Sequence, residues 1–151
     1  MIYYRNFDLD VRILRPFNIY GPGMRYDDSR VIPSFFRAIK GGKSLIVNDS
    51  GQSTRTFCYI DDFIEATVKA MFNENTNGEV FNLGTTREIT MYDLAELMVN
   101  KFGGIVEVFK QTRSGEPKNR KPDIGKAIKI LNWLPTTDLE EGLEKIWKSY
   151  Q

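Results

Sequence analysis

The order of segments along the chain predicts an α/β layered fold. Short runs rich in β-branched and aromatic residues recur between stretches whose apolar residues repeat at helical spacing. Clusters of Gly, Pro, Asn and Asp separate each run from the next, and no internal repeat or low-complexity stretch breaks the alternation. With 151 residues and no linker-like segment, the expectation is one domain over residues 1–151.

Residues 11–17, VRILRPF, predict a strand, and Pro16, which cannot donate to a ladder, belongs at its end or edge. The following Gly-Pro-Gly stretch to Arg30 predicts a loop. Residues 31–40, VIPSFFRAIK, place Val31, Ile32, Phe35, Phe36 and Ile39 on one helical face, and Gly41-Gly42 stops the helix. KSLIV (43–47) and TRTFCYI (54–60) predict strands around a turn. Asp61 or Asp62 is placed to N-cap a helix reaching Phe72, with Phe63, Ile64, Thr67, Val68 and Met71 inward. EVFNLG (79–84) predicts a strand. Thr90 opens a capping-box-like TMYD before a helix to about Phe102, and GIVEVFK (104–110) alternates as a strand. After a polar loop, Asp123 caps a helix to Leu131, and Leu139, Leu143, Ile146, Trp147 and Tyr150 mark a last amphipathic helix.

Composition narrows the function classes. The charged fraction of 27% and hydrophobic fraction of 41% are those of a soluble globular protein, and the net charge of +1 gives no reason to expect nucleic acid or an anionic membrane as partner. Cys58 is the single cysteine, so no intrachain disulfide is possible and a reducing, cytoplasmic setting fits. There is no histidine, which removes the usual general base near neutral pH and the commonest metal ligand; no metal site is expected. No apolar stretch approaches the roughly 20 residues of a membrane span.

Several residues admit two readings. Asn18, between a strand and a sharp turn, is turn punctuation by default, or an amide offered to a polar ligand beyond the carboxyl end of a strand. Alternation places Arg55, Phe57 and Tyr59 on one face and Thr56 and Cys58 on the other. Arg55 either lays its stem over the aromatics or aims a rigid fork at a phosphate. Arg113 in TRSGEP is solvated by default, or joins Arg55 on a diphosphate. The Asp61–Asp62 pair is explained more cheaply by helix capping than by acid–base chemistry. Cys58 has no partner His and reads as core. No G-x-G-x-x-G, Walker, C-x-x-C or H-E-x-x-H motif occurs, and none of the tyrosines at 3, 4, 20, 26, 59, 92 and 150 has a Lys four places on.

In order, RPFNIYGPG, VIPSFFRAIKGG, GQSTRTFCYIDD, EVFNLGTTREITMYDLAELM and RKPDIGKAIKILNWLPTTDLEEGLEKI resemble the C-terminal, substrate-side part of the NAD(P)-binding Rossmann-type extended short-chain dehydrogenase/reductases that act on nucleotide sugars. The likeness runs from Val11 to the end. It is greatest to UDP-glucuronate decarboxylases, through GMRYDDSRVIPSF and RKPDIGKA, and extends to UDP-glucose 4-epimerases and dTDP-glucose 4,6-dehydratases. In decarboxylases an Arg often follows the Gly-Pro; here that position is Gly23, with Arg25 nearby.

The resemblance implies roles residue by residue. Asn18 would hydrogen-bond the substrate diphosphate, and Pro16 and Phe17 would line the nicotinamide ring. Arg30 and Val31 would border the sugar nucleotide, and Leu45, Ile46 and Val47 would frame the pyrimidine. Arg55 and Arg113 would clamp the phosphates as a charge-assisted pair. The implied cofactor is NAD and the implied ligand a UDP-sugar or related nucleotide sugar. The family's glycine-rich fingerprint and Tyr-x-x-x-Lys pair lie upstream of the strand at Val11, where only ten residues stand here. The expectations are therefore that this chain alone does not retain NAD, carries no catalytic residue and is inactive without a separate N-terminal half. Two alternatives stand beside that: a non-catalytic UDP-sugar-binding module, and a structural remnant self-associating into a homo-oligomer through an uncovered sheet edge.

Overall fold

A computed structural model describes residues 2–108 and 119–151. Its elements run α1 (Ile2–Phe7), β1 (Ile13–Pro16), β2 (Ile19–Tyr20), α2 (Val31–Lys40), β3 (Leu45–Val47), β4 (Thr54–Thr56), β5 (Cys58–Tyr59), α3 (Ile60–Phe72), β6 (Val80–Leu83), β7 (Glu88–Thr90), α4 (Met91–Phe102), β8 (Val106–Val108), β9 (Asn119–Arg120), α5 (Gly125–Leu131) and α6 (Leu139–Ser149). The strands pair in small sets: β1 with β6, β2 with β5 and β3 with β8, all parallel, while β4 lies between antiparallel β7 and parallel β9. Parallel pairs need long crossovers, and the helices that make them cover the sheets.

Two apolar clusters follow from this. One gathers Phe35 and Phe36 of α2, Leu45 and Val47 of β3, Leu94 and Met98 of α4, and Leu143 and Ile146 of α6. The other gathers Phe81 and Leu83 of β6, Ala66 and Ala70 of α3, and Ala127 and Leu131 of α5 with Trp133. Alternation along residues 57–59 distributes side chains between them: Phe57 and Tyr59 enter the first, Cys58 the second.

The periodic helices form where expected. Ile32, Phe35 and Phe36 are the buried face of α2, and Gly41 and Gly42 end it, Gly42 at φ +62. Thr90 Oγ1 accepts the Asp93 N–H at 3.0 Å, satisfying a free donor of α4's first turn. Asp123 Oδ1 accepts the Gly125 N–H at 2.8 Å just ahead of α5. The elements missed are α1, an exposed helical stretch whose Tyr4 ring lies against Gly78, and the short strands β2, β7 and β9.

Three expectations are overturned. TRTFCYI is not one strand: β4 and β5 break at Phe57 and join different sheets, because the chain crosses there from the β7–β4–β9 set to the β2–β5 pair. Helix α3 is turned the other way. Its buried residues are Asp62, Ala66 and Ala70, while Ile64, Val68 and Met71 are half or more exposed or nearly so (50%, 49% and 62%). Close packing of α3 on α5 and on β2 and β5 requires small side chains at the contact, and the alanines supply them.

Neither aspartate caps α3, whose N-cap position is Tyr59. Asp61 is exposed. Asp62 is only 4% exposed and accepts from the backbone N–H of Thr136 (3.2 Å) and of Thr137 (3.1 Å) and from Thr136 Oγ1 (3.3 Å). The Trp133 indole N–H donates to the Asp62 carbonyl at 2.9 Å. This buried residue bolts the start of α3 to the α5–α6 connection.

Gly142, inside α6, faces Tyr20: a Cβ there would stand 2.2 Å from Tyr20 Oη. Gly142→Ala raises helix propensity by about 1 kcal/mol, but the overlap should outweigh it and leave a net loss of about 1–3 kcal/mol. Urea unfolding checks this, and in a Tyr20→Leu background the same substitution should be neutral or stabilising.

Candidate functional site

The candidate site is built around the turn that ends β1. Phe17 N–H donates to Leu83 O at 2.9 Å, one step past Pro16, and the chain then reverses through Asn18 in the left-handed region (φ +45). Asn adopts that conformation more readily than most residues. Its Nδ2 donates to the Thr56 carbonyl at 2.7 Å, and its own carbonyl accepts from Cys58 N–H at 3.3 Å. The amide that the sequence offers to a ligand thus has its nitrogen committed to β4.

That commitment ties Asn18 to β4 at Thr56, the residue after Arg55. Arg55 is half-buried on β4, its Nη1 donating to the Thr54 carbonyl at 2.8 Å, and its cross-strand neighbours are Ile89 on one side and Arg120 on the other. Thr56, between the Asn18 contact and Phe57, is fully buried, and its Oγ1 has no hydrogen-bond partner among the described residues. Phe17 packs its Cβ against Gly84, where an added Cβ would stand 2.9 Å away, and Pro16 is exposed. In β3, Leu45 and Val47 point into the core while Ile46 is 47% exposed. The outward residue of that strand is therefore Ile46 alone. Arg113 lies outside the described residues.

Arg30 and Val31 sit at the mouth of α2. Val31 packs partly against the first core. Arg30 grips Asp28 with Nε (2.9 Å) and Nη2 (2.6 Å), and its backbone N–H also donates to that carboxylate at 2.8 Å. The guanidinium holds the Asp28 carboxyl low, at about 2. Arg25 makes the same two-pronged contact with Asp27 (2.9 and 2.6 Å). Arg37 Nη1 holds the carbonyls of Tyr26 and Asp28, each at 2.6 Å. The loop's outer face is latched by the last residues: Tyr150 Oη donates to Met24 O at 3.1 Å, its ring meets that of Tyr26 edge-on at 5.1 Å, and its carbonyl accepts from Lys40.

A separate crevice of about 250 Å³ is lined by Phe57, Thr85, Arg87, Leu134, Thr137 and Asp138 among others. None of the expected site residues among those described borders it. Arg87, which the sequence reading did not single out, stands at this crevice with its guanidinium bound by both carboxylate oxygens of Glu140 (2.9 and 2.7 Å). No signal in the sequence marks that pairing, because the partners are far apart along the chain.

Among the described residues no group of three His, Cys, Asp or Glu is placed to hold a metal, and no helix is long and apolar enough to cross a membrane. Cys58 is buried, and that burial, with Asp62 nearby, pushes its thiol from 9.0 up to about 12. A group raised on folding stabilises fully below its unfolded value and loses that contribution as pH climbs through the folded one. Cys58 should therefore erode stability between about pH 9 and 12, by about 1.4 kcal/mol per unit at most, and Cys58→Ala should flatten that part of a stability–pH curve. A thiol reagent at pH 8 should modify Cys58 only after unfolding. At the turn, Asn18→Gly should cost about 1 kcal/mol for the lost bond to Thr56, and Asn18→Ala about 1–2 kcal/mol more for the left-handed backbone; urea denaturation separates the two.

The description "NAD dependent epimerase/dehydratase family" belongs to a family model that matches residues 2–84, more than half of the chain. UDP-glucuronic acid decarboxylase 3 of Arabidopsis thaliana is 37% identical over 142 residues, covering 93% of this chain and 41% of the relative. UDP-glucuronic acid decarboxylase 1 of Xenopus tropicalis is 38% identical over 144 residues, covering 95% and 34%. Among solved structures, UDP-glucuronic acid 4-epimerase from Bacillus cereus in complex with UDP-glucuronic acid and NAD superposes with a TM-score of 0.87 at 33% identity, over 98% of this chain and 47% of that one. UDP-glucose 4-epimerase with UDP-glucose from Thermotoga maritima gives 0.90 at 30%, over 99% and 48%. The chain thus spans under half the length of these relatives, and its α/β fold is part of their Rossmann-type extended short-chain dehydrogenase/reductase fold. The turn at Asn18, the parallel β1–β6 pair and this match together place the chain in the NAD dependent epimerase/dehydratase family.

Proposed function

We propose that this chain is the nucleotide-sugar-holding part of an NAD-dependent epimerase, decarboxylase or dehydratase. The observation that carries this is the Asn18–Thr56 bond, which sets the amide of the β1 turn against the strand bearing Arg55. In that arrangement Arg55 serves a diphosphate with a rigid two-pronged donor, and Asn18 adds an acceptor through its side-chain oxygen. Ile46, the outward residue of β3, offers an apolar edge to a base. Val31 and Arg30 border the sugar; for Arg30 to take part, an anionic ligand must displace Asp28, whose side chain is partly covered while that of Arg30 is exposed. Arg113 completes the clamp in this reading. A UDP-sugar fits these demands, as in the relatives solved with UDP-glucuronic acid and UDP-glucose.

NAD, where the family binds it, supplies a hydride acceptor. What these residues offer such a ring is an exposed Pro16 and a Phe17 seated on Gly84, which is one edge of a site. No glycine-rich phosphate cradle and no Tyr-x-x-x-Lys pair occurs within the 151 residues. The polypeptide by itself therefore holds substrate without turning it over.

Titration calorimetry of the purified chain with UDP should show saturable binding that uridine does not reproduce. Arg55→Ala should weaken it by about 10- to 100-fold, the cost of a charge-assisted contact. Incubation with NAD and UDP-glucuronic acid or UDP-glucose should leave the sugar nucleotide unchanged by mass spectrometry and anion exchange. Turnover would refute the claim of inactivity, and equal binding of uridine and UDP would refute the diphosphate clamp.

A further inference from the structure

Residues 22–30, between Gly21 and the start of α2, stand largely in solvent: Met24 and Asp28 are partly covered and the rest are exposed. Both ends of this passage are fixed. A Cβ on Gly21 would lie 2.3 Å from the Ile60 side chain, and Val31 rests partly on the first core. The passage itself has few holds. Met24 N–H donates to Gly21 O at 3.3 Å and Asp28 N–H to Arg25 O at 3.1 Å, each bond closing a single turn. Its ion pairs join residues two apart, and Arg37 reaches back from α2, which the passage leads into. Exposed segments with few buried contacts open at low free energy, so a tie to a distant element carries weight.

Among the described residues, the hydrogen bond that reaches this passage from outside residues 21–37 is that of Tyr150 Oη to Met24 O, at 3.1 Å. Tyr150 is itself held from behind. Its N–H donates to the carbonyls of Ile146 (3.1 Å) and Trp147 (3.2 Å) at the end of α6. Its ring stands edge-on to the fully buried Phe36, centroids 5.9 Å apart. Lys40 donates to its carbonyl and sits over the rings of Tyr26 (5.8 Å) and Trp147 (5.3 Å). The tail is thus anchored in the first core, and the passage is anchored to the tail.

We propose that Tyr150 is a positioning residue for the sugar end of the ligand, acting through Met24 on the place where Arg30 and Val31 stand. This rests on the reading above, in which Arg55 and Asn18 serve the diphosphate, Ile46 the base, and Arg30 and Val31 the sugar. An untied passage has to be ordered when the sugar binds, and that loss of freedom weakens the sugar contacts alone. A passage already tied at Met24 loses less. The Tyr150 hydroxyl therefore tightens the sugar part of the interaction and leaves the phosphate part as it is. Tyr150 thereby sets how far a UDP-sugar is preferred over UDP.

Calorimetric titration of the purified chain with UDP, UDP-glucose and UDP-glucuronic acid gives the factor by which a sugar tightens binding. Tyr150→Phe keeps the ring contacts and removes the hydroxyl; Tyr150→Leu removes the ring as well. The sugar factor should fall by about 2- to 10-fold in Tyr150→Phe, the range of one net hydrogen bond, and further in Tyr150→Leu, while UDP affinity stays the same. Arg55→Ala should do the reverse, weakening all three ligands alike and keeping the sugar factor. Without ligand, hydrogen exchange in Tyr150→Phe should quicken at the N–H groups of Met24, Asp28 and Arg30 and stay unchanged in β4 and α4. Equal loss of UDP and UDP-sugar affinity, with faster exchange across the first core, would make Tyr150 a merely structural residue and overturn the proposal. Unaltered exchange at those three groups overturns it too. UDP binding with no gain from either sugar, or with a gain that ignores Tyr150, overturns this proposal alone. Absence of UDP binding by the unaltered chain overturns the nucleotide-sugar reading and this proposal with it, so the two failures give different results.

Discussion

The structure turns on one residue in a left-handed conformation. Asn18 redirects the chain between two parallel pairs, β1 with β6 and β2 with β5, which would otherwise compete for a single continuous strand. Its side-chain amide seizes the Thr56 carbonyl, and its main-chain carbonyl takes the Cys58 N–H two residues on. One residue therefore grips the 54–59 segment on both sides of its break at Phe57. The position of β4, and with it Arg55, is set by this grip. The backbone strain of about 1–2 kcal/mol is offset in part by these two bonds, of which the one to Thr56, at 2.7 Å, is short and partly sheltered from water.

Where sequence periodicity and packing obey the same rule, the elements were legible. Residues 31–40 present large apolar groups on one side, and that side is buried; Leu139, Leu143 and Ile146 behave alike in α6. Pro16 ends its strand because it has no N–H, a local fact that needs no tertiary context. In α3 the rule fails because size and burial part company. The close contact demands alanine, so the larger side chains turn outward, and a pattern that counts apolar residues chooses the wrong face. Asp62 was read as a cap because adjacent aspartates before an apolar run usually are caps; its partners at 136 and 137 lie more than seventy residues away and leave no local trace.

The turn at Asn18 and the strand carrying Arg55 were legible by position. That the Asn18 amide nitrogen is committed to the Thr56 carbonyl was not, since the two residues lie far apart along the chain. Arg30 is bound to Asp28 by a two-residue turn, a spacing that no helical or strand period exposes. The same device recurs at Arg25 and Asp27. The loop entering α2 thus carries its own counter-ions, which lowers the net charge it shows to an anion and makes its response depend on exchange of partners.

The latch made by Tyr150 joins that loop to the tail of the protein. Its hydroxyl holds the Met24 carbonyl, its ring abuts Tyr26, and its carbonyl receives Lys40, all within two residues of Gln151. A change at Tyr150 therefore reaches the strand-to-helix passage between Asn18 and Arg30 directly, through Met24 and Tyr26, although none of the residues expected to meet a ligand is touched.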